Sequence, residues 1–187
     1  MIRRPPGGDK LWQSAAQSGI VAAPISYRAG GLQHIAVAAG WGTVFALAGG
    51  EIIAALGNRN VSRILAFRLG GTDSLPVVAT VARPAVPEPP ERLGDVEVIA
   101  AGKTVYYERC WVCHGDGAAS GGITSDLRYS IAQTYASWDA FVIGGAASAS
   151  GMPGFAGVLS TEDSSAVRAY VIDRAWLAFE RQQASVE

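Results

Sequence analysis

Apolar and polar positions change their periodicity near the middle of this 187-residue chain. In the first part, short apolar runs alternate with glycine-rich turns, a pattern typical of β-strands. The runs predicted as strands cover residues 19–27, 32–39, 44–47, 63–69 and 77–81. Residues 29–31 (Ala-Gly-Gly) lie between the first two runs. We therefore expect those two strands to form a hairpin.

From Asp95 onward, apolar side chains recur at helical spacing. A helix is predicted from Asp95, a suitable N-cap, to about Arg109. Another is predicted over 138–143, ending at a Gly-Gly pair. A last helix begins at Ser160, because Ser160 and Asp163 have the spacing of a capping box. The glycine- and serine-rich stretch 115–128 is predicted as a loop.

A proline-rich segment separates the part with strand-like patterning from the part with helical patterning. Four prolines occur within residues 84–90, a composition that favours a semi-rigid polyproline II spacer. The predicted organisation is therefore an all-β segment over 1–82, a linker over 83–94 and an all-α domain over 95–187.

One apolar run allows a different interpretation. Residues 35–50 carry no charge, and beyond Glu51 the apolar character continues to Leu56. A membrane-spanning helix needs about 20 apolar residues, so a membrane-tethered chain is an alternative. Four glycines within the run, together with Glu51, favour buried strands instead.

Composition narrows the chemistry. The formal net charge is −1, which gives no electrostatic footprint for nucleic acid. The chain has two cysteines, two histidines and two methionines, too few for a zinc ribbon or a disulfide framework. Any Cys, His or Met chemistry must therefore depend on very few side chains.

Both cysteines and one histidine form the sequence Cys110-Trp111-Val112-Cys113-His114. CxxCH is the attachment signature of c-type haem. Two thiols at this spacing can reach the two vinyl groups of one porphyrin, and the adjacent imidazole is then the proximal iron ligand. The alternatives are a redox dithiol or a metal site, but a dithiol needs no following histidine.

The second axial ligand is predicted to be Met152, which stands in the sequence Gly-Met-Pro-Gly-Phe before the last helix. Such a loop can bring a thioether to the iron. His34 lies in an apolar run of the first part and is interpreted as a structural or surface histidine. Iron with His and Met ligands has no open position, which suits electron transfer. An open haem site for peroxide or gas binding is the enzymatic alternative.

Residues 95–180 resemble a class I cytochrome c domain. Residues 126–130 (Asp-Leu-Arg-Tyr-Ser), Trp138, 144–146 and 151–155 are more narrowly similar to the cytochrome domain of quinohaemoprotein alcohol dehydrogenases. Enzymes of that family carry pyrroloquinoline quinone (PQQ) in a β-propeller and haem c at the C-terminus. The resemblance implies that Arg128 binds a haem propionate, for which a guanidinium is suited. The family commonly has proline where this chain has Ser125, which leaves the partner of the His114 imidazole open.

The first part also resembles this family. Residues 8–12, 21–27 and 36–42 look like the closing strands of a PQQ-enzyme propeller, and 64–76 are similar to the segment that leaves it. The implied fold is an all-α cytochrome c domain preceded by the end of a β-propeller. The resemblance assigns PQQ, calcium and the catalytic base to upstream blades, so the chain is expected not to be catalytic on its own.

The function expected from this resemblance is electron transfer. Electrons would come from a PQQ dehydrogenase domain and leave to a cytochrome, a copper protein or a quinone. The alternative is a self-contained carrier cytochrome unrelated to alcohol oxidation. Haem c attachment implies a periplasmic protein, yet residues 1–8 are not followed by the apolar region of a signal peptide. We therefore expect the chain to be a truncated, split or mis-started product of a longer gene.

Overall fold

The computed structural model describes residues 9–55, 61–78 and 84–185. The chain divides into two compact units, and each consists of two stretches of sequence. The first unit comprises residues 1–42 and 58–81, and the second comprises 43–57 and 82–187.

In its described residues, the first unit contains a three-stranded antiparallel sheet in the order β1-β2-β3. The strands are β1 (Ile25–Ala29), β2 (Leu32–Ala39) and β3 (Arg63–Arg68). Val37, Ala39 and Leu65 form a small buried cluster on the sheet. The predicted strand over 32–39 is confirmed, and the one over 63–69 ends one residue earlier.

The predicted hairpin between the first two strands is also confirmed. Ala29 pairs with Leu32, and the two glycines between them have φ of 57° and 78°. A two-residue hairpin turn of this kind requires positive φ at both positions, which glycine adopts without steric cost. The first strand is shorter than predicted, since it begins only at Ile25. The strand predicted over 77–81 falls largely outside the described residues, and Val77 and Val78 lie in no regular element.

The strand prediction for residues 44–47 is wrong. These residues belong to helix α1 (Thr43–Ala48), which is followed by α2 (Gly50–Ala55). A short apolar run fits a buried strand and a helix equally well, so periodicity could not decide. Among the described residues, no helix is long and apolar enough to cross a membrane.

The described helices that follow in the second unit are mainly those predicted. They are α3 (Val96–Arg109), α4 (Trp111–His114), α5 (Ala132–Ala136), α6 (Trp138–Val142) and α7 (Thr161–Ala184). The Asp95 side chain caps α3 by accepting from the Val98 amide at 3.0 Å. Ser160 and Asp163 make both bonds of the predicted capping box. Helices α4 and α5 were not predicted.

Helices α3 and α7 cross at close range around Gly102. A Cβ atom at Gly102 would lie 1.9 Å from the carbonyl oxygen of Ala166, so only glycine permits this approach. The core beside the crossing includes Tyr106, Val167 and Ile172, which are nearly or fully buried. The helix that leads into CxxCH is thereby fixed against the longest helix of the chain.

The proline-rich segment lies along α7. The Val86 amide donates to Gln182 Oε1 at 2.8 Å, and Trp176 Nε1 donates to the Pro90 carbonyl at 2.8 Å. Arg92 bonds Asp173 and Glu180 at 2.7 Å each, with its guanidinium over the Trp176 ring. Residues 86–92 are therefore attached to the second unit rather than extended as a free spacer.

Candidate haem-binding site

The five residues of the CxxCH sequence form a tight helical turn at the end of α3. Cys110 is the C-cap of α3, and its carbonyl accepts from the amides of Cys113 at 3.2 Å and His114 at 3.0 Å. Both thiols are free; Cys110 is half-buried and Cys113 is exposed. Burial, followed by the charge of Cys113, raises the pKa of Cys110 to about 11. The Cys110 thiol is therefore protonated at neutral pH.

The His114 imidazole is half-buried and has one backbone partner. Its Nδ1 lies 3.4 Å from the carbonyl oxygen of Ser125, an acceptor that selects the tautomer with the proton on Nδ1. The remaining nitrogen, Nε2, then carries the lone pair that a metal needs. Burial lowers the pKa of His114 against the opposing effect of the Ser125 carbonyl, which favours the neutral, ligating imidazole. Because the partner is a backbone carbonyl, serine at position 125 supplies it as well as proline would.

Side-chain bonds from α3 and from residues 115–128, which we call the haem loop, hold this turn in place. The buried phenol of Tyr106 donates to the Gly115 carbonyl at 2.7 Å. Thr124 Oγ1 donates to the Cys113 carbonyl at 2.5 Å, and the Tyr107 phenol donates to the Asp116 carboxylate. The backbone around His114 is therefore bonded on both sides.

Met152 lies in the loop between the helical turn Ser148–Ser150 and α7. Its amide donates to the Ala147 carbonyl at 3.3 Å, and Phe155 ties the loop to α6 through the Val142 carbonyl at 2.8 Å. Met152 is partly buried against the same hydrophobic cluster as Cys110. The fold thus brings Met152 to the core that carries the CxxCH turn.

Arg128 is 8% exposed, and carboxylates surround its guanidinium. Nε and Nη2 donate to the two oxygens of Asp126 at 2.9 and 2.8 Å, and Nη1 donates to Glu51 at 3.2 Å. Burial acts to lower the pKa of Arg128, but the bonds to Asp126 and the charges of Asp126 and Glu51 outweigh it and raise the pKa. The propionate role of Arg128 stays a prediction.

Two other residues bear on the sequence predictions. His34 lies in β2 of the first unit, where its ring stacks on Tyr27 with 5.1 Å between centroids. Glu51 was not predicted as part of a site, although it contacts Arg128. The signal available in the sequence was a single carboxylate within an otherwise uncharged run.

The donor set fits a c-type haem. Two free thiols are presented three residues apart on one helical turn. The next residue is an imidazole with Nδ1 bonded and Nε2 available, as required of a proximal ligand.

Comparison with known proteins agrees with this site. Residues 97–171 match the family described as cytochrome c oxidase, cbb3-type, subunit III. The chain is 41% identical to quinohaemoprotein alcohol dehydrogenase ADH IIB of Pseudomonas putida over 89% of its own length and 24% of that protein. It is 35% identical to the dehydrogenase subunit of alcohol dehydrogenase (quinone) of Acetobacter aceti, over 94% of this chain and 24% of the relative.

The solved structure of quinohaemoprotein alcohol dehydrogenase ADHIIG from Pseudomonas putida HK5 is 36% identical, with a TM-score of 0.73. That match covers 90% of this chain and 24% of the solved one. The chain spans about a quarter of the length of the curated relatives that it matches.

The second unit therefore contains a cytochrome c domain, whose cofactor is haem c and whose function is electron transfer. About nine-tenths of the chain is homologous to quinohaemoprotein alcohol dehydrogenases, over about a quarter of their length. The resemblance found in the sequence is confirmed, as are the cofactor and the electron-transfer function.

Proposed function

We propose that this chain is the C-terminal, electron-transferring part of a PQQ-dependent alcohol dehydrogenase. In this proposal, residues 95–187 are the cytochrome domain and residues 1–82 end the propeller. The main support is the extent of the match, because similarity to quinohaemoprotein alcohol dehydrogenases runs through both units. A match to the cytochrome alone would fit any carrier cytochrome.

Within the site, Cys110 and Cys113 are the attachment residues. Each thiol would hold the porphyrin through one thioether bond. His114 Nε2 and the Met152 sulfur would hold the iron, and Arg128 would bind a propionate. When bound, haem c supplies a centre that accepts and releases one electron.

The protein's own contribution is to fix those groups. Tyr106 and Thr124 hold the backbone on either side of His114, and the Ser125 carbonyl holds its imidazole. The cluster around Met152 limits water near the thioether. A rigid, apolar environment of this kind reduces the rearrangement of the surrounding side chains and water when the iron gains or loses an electron.

The proposed electron donor is a PQQ-containing dehydrogenase domain, which would also hold the calcium ion. The acceptor would be a second cytochrome, a copper protein or a quinone, and the working protein would be periplasmic. One relative is named as an alcohol dehydrogenase (quinone), which supports including quinone in this set.

The proposal can be tested with the haem-loaded chain and the PQQ dehydrogenase portion of a relative. Alcohol should reduce the haem only when that portion, PQQ and calcium are all present, and the chain with PQQ, calcium and alcohol alone should give no turnover. A variant with Cys110→Ala and Cys113→Ala is the matched control without attached haem. Turnover by the chain alone, or haem that stays oxidised with the complete mixture, would contradict the proposal.

A further inference from the structure

Glu51 stands in α2 with three arginine side chains around its carboxylate. Oε1 of Glu51 lies 3.2 Å from Arg128 Nη1, 3.4 Å from Arg181 Nη1 and 3.9 Å from Arg174 Nη2. Arg128 is the last residue of the haem loop and lies in the turn Leu127–Tyr129, and the other two belong to α7. One carboxylate therefore joins α2 to the haem-loop end and to the longest helix of the same unit.

Backbone packing fixes the place of this carboxylate. A Cβ atom at Gly50 would lie 2.4 Å from the carbonyl oxygen of Asp116, and one at Gly121 would lie 1.9 Å from that of Ala46. Helices α1 and α2 thus contact the haem loop without intervening side chains at two points. Ala46 and Ile53 are buried, whereas Val44 and Ile52 point outward with 73% and 69% exposure. This arrangement holds Glu51 over Arg128.

A short chain of contacts leads from Glu51 to His114. Arg128, held by Glu51, grips both carboxylate oxygens of Asp126 with Nε and Nη2. Asp126 also caps its own turn by accepting from the Arg128 amide at 3.2 Å. The preceding residue, Ser125, supplies the carbonyl that accepts from His114 Nδ1. The links from Glu51 to Ser125 are charged, bidentate or covalent, and the last link, to His114, is one hydrogen bond at 3.4 Å. Displacement at Glu51 is therefore expected to reach the Ser125 carbonyl.

We infer that Glu51 is a positioning residue for the axial histidine. Through Arg128 and Asp126, its carboxylate fixes the Ser125 carbonyl that accepts from His114 Nδ1. That hydrogen bond orients the imidazole and raises its basicity as a ligand. A helix encoded 63 residues before His114 thereby contributes to the reduction potential. This inference rests on the proposed role of His114 as an iron ligand.

The test compares Glu51→Gln with Glu51→Asp in the full, haem-loaded chain. Glutamine removes the negative charge. Aspartate keeps the charge, but its side chain is one methylene shorter and places the carboxylate farther from Arg128. If Glu51 acts by position, both variants loosen the Ser125 contact. Exchange of the His114 Nδ1 proton, followed by NMR, should then become about fivefold faster in both, as for the loss of one hydrogen bond. The reduction potential should rise in both, because a less basic imidazole stabilises ferric iron less.

Glu180→Gln is the matched control, since it removes an α7 carboxylate that is bonded to Arg92; it should leave exchange and potential unchanged. Wild-type behaviour of Glu51→Asp, or an equal shift in Glu180→Gln, would mean that charge rather than position matters, and would overturn the inference. The inference would also be overturned if the His114 Nδ1 proton exchanged at the wild-type rate in both Glu51 variants.

If the Glu51 variants do not retain haem, the test uses Arg128→Lys. Lysine keeps the positive charge but cannot make the bidentate hydrogen bonds to Asp126. Unchanged exchange of the His114 Nδ1 proton in this variant would then refute the inference. Failure of the proposed ligand role of His114 looks different. In that case the visible spectrum would not change when His114 itself is replaced, whatever the Glu51 variants do.

Discussion

The Tyr106 phenol donates to the Gly115 carbonyl at 2.7 Å and so ties the interior of α3 to the residue after His114. Tyr106 is fully buried, and no water can replace its hydroxyl without repacking the core. Tyr106→Phe leaves this buried carbonyl without its side-chain donor, at a cost of about 1–3 kcal/mol in the free energy of unfolding. Denaturant unfolding of the haem-loaded chain measures this loss.

The neighbouring Tyr107→Phe is the control for that experiment. Its phenol donates to the Asp116 carboxylate in a more exposed position, where water can take over the bond. If Tyr107→Phe lowers the free energy of unfolding as much as Tyr106→Phe does, the buried hydrogen bond to the Gly115 carbonyl stabilises the protein no more than the exposed one.

Met152→Ala tests the proposed axial sulfur. Removing the thioether should abolish the weak red absorption band of iron bound to methionine and open a coordination position that cyanide fills at once. Val158→Ala, a change at an exposed position of the same loop, should keep the wild-type visible spectrum. An unchanged spectrum in Met152→Ala would assign the sixth ligand to another residue.

Gly102→Ala should destabilise the chain although alanine is the better helix former. Helix propensity alone favours alanine over glycine by about 1 kcal/mol. The new Cβ, however, would meet the Ala166 carbonyl at 1.9 Å, and overpacking of this kind costs about 1–3 kcal/mol or more. The midpoint of thermal unfolding should fall. Ala101→Gly, next to it on the exposed side of α3, should cost only the propensity difference, and a stabilised Gly102→Ala variant would refute the close crossing.

Gln182→Ala should release one end of the proline-rich segment from α7. The Val86 amide loses its acceptor, Gln182 Oε1 at 2.8 Å, so its hydrogen exchange should become about fivefold faster, as expected for one lost hydrogen bond. Gln183→Ala changes the adjacent, exposed residue and should leave that amide protected. Equal exchange in wild type and Gln182→Ala would contradict the attachment of the segment.

Local signals in the sequence predicted what depends on neighbouring residues. Asp95 and Ser160 cap helices through amides three positions away, and the two-glycine hairpin turn closes between residues three apart. Such interactions are complete within a few residues, so spacing alone reveals them. Cys110, Cys113 and His114 were found for the same reason.

What the sequence did not predict depends on distant partners or weak local signals. Arg128 bonds Glu51 across 77 positions, and Arg181 does so across 130, separations that leave no periodic trace. Helix α5 has barely one turn and no side-chain cap at Ile131. Residues 44–47 were mistaken for a strand because an apolar run as short as this fits a strand and a helix equally well.

Helices α1 and α2 lie between β2 and β3 in the sequence but belong to the second unit, so the chain passes between units after residues 42, 57 and 81. A single recombination point in the proline-rich segment could not transfer the complete second unit from one gene to another. The hybrid would combine a haem loop from one parent with residues 43–57 from the other, joined at contacts as close as Gly50 with Asp116. Inheritance of these two stretches is therefore expected to be linked.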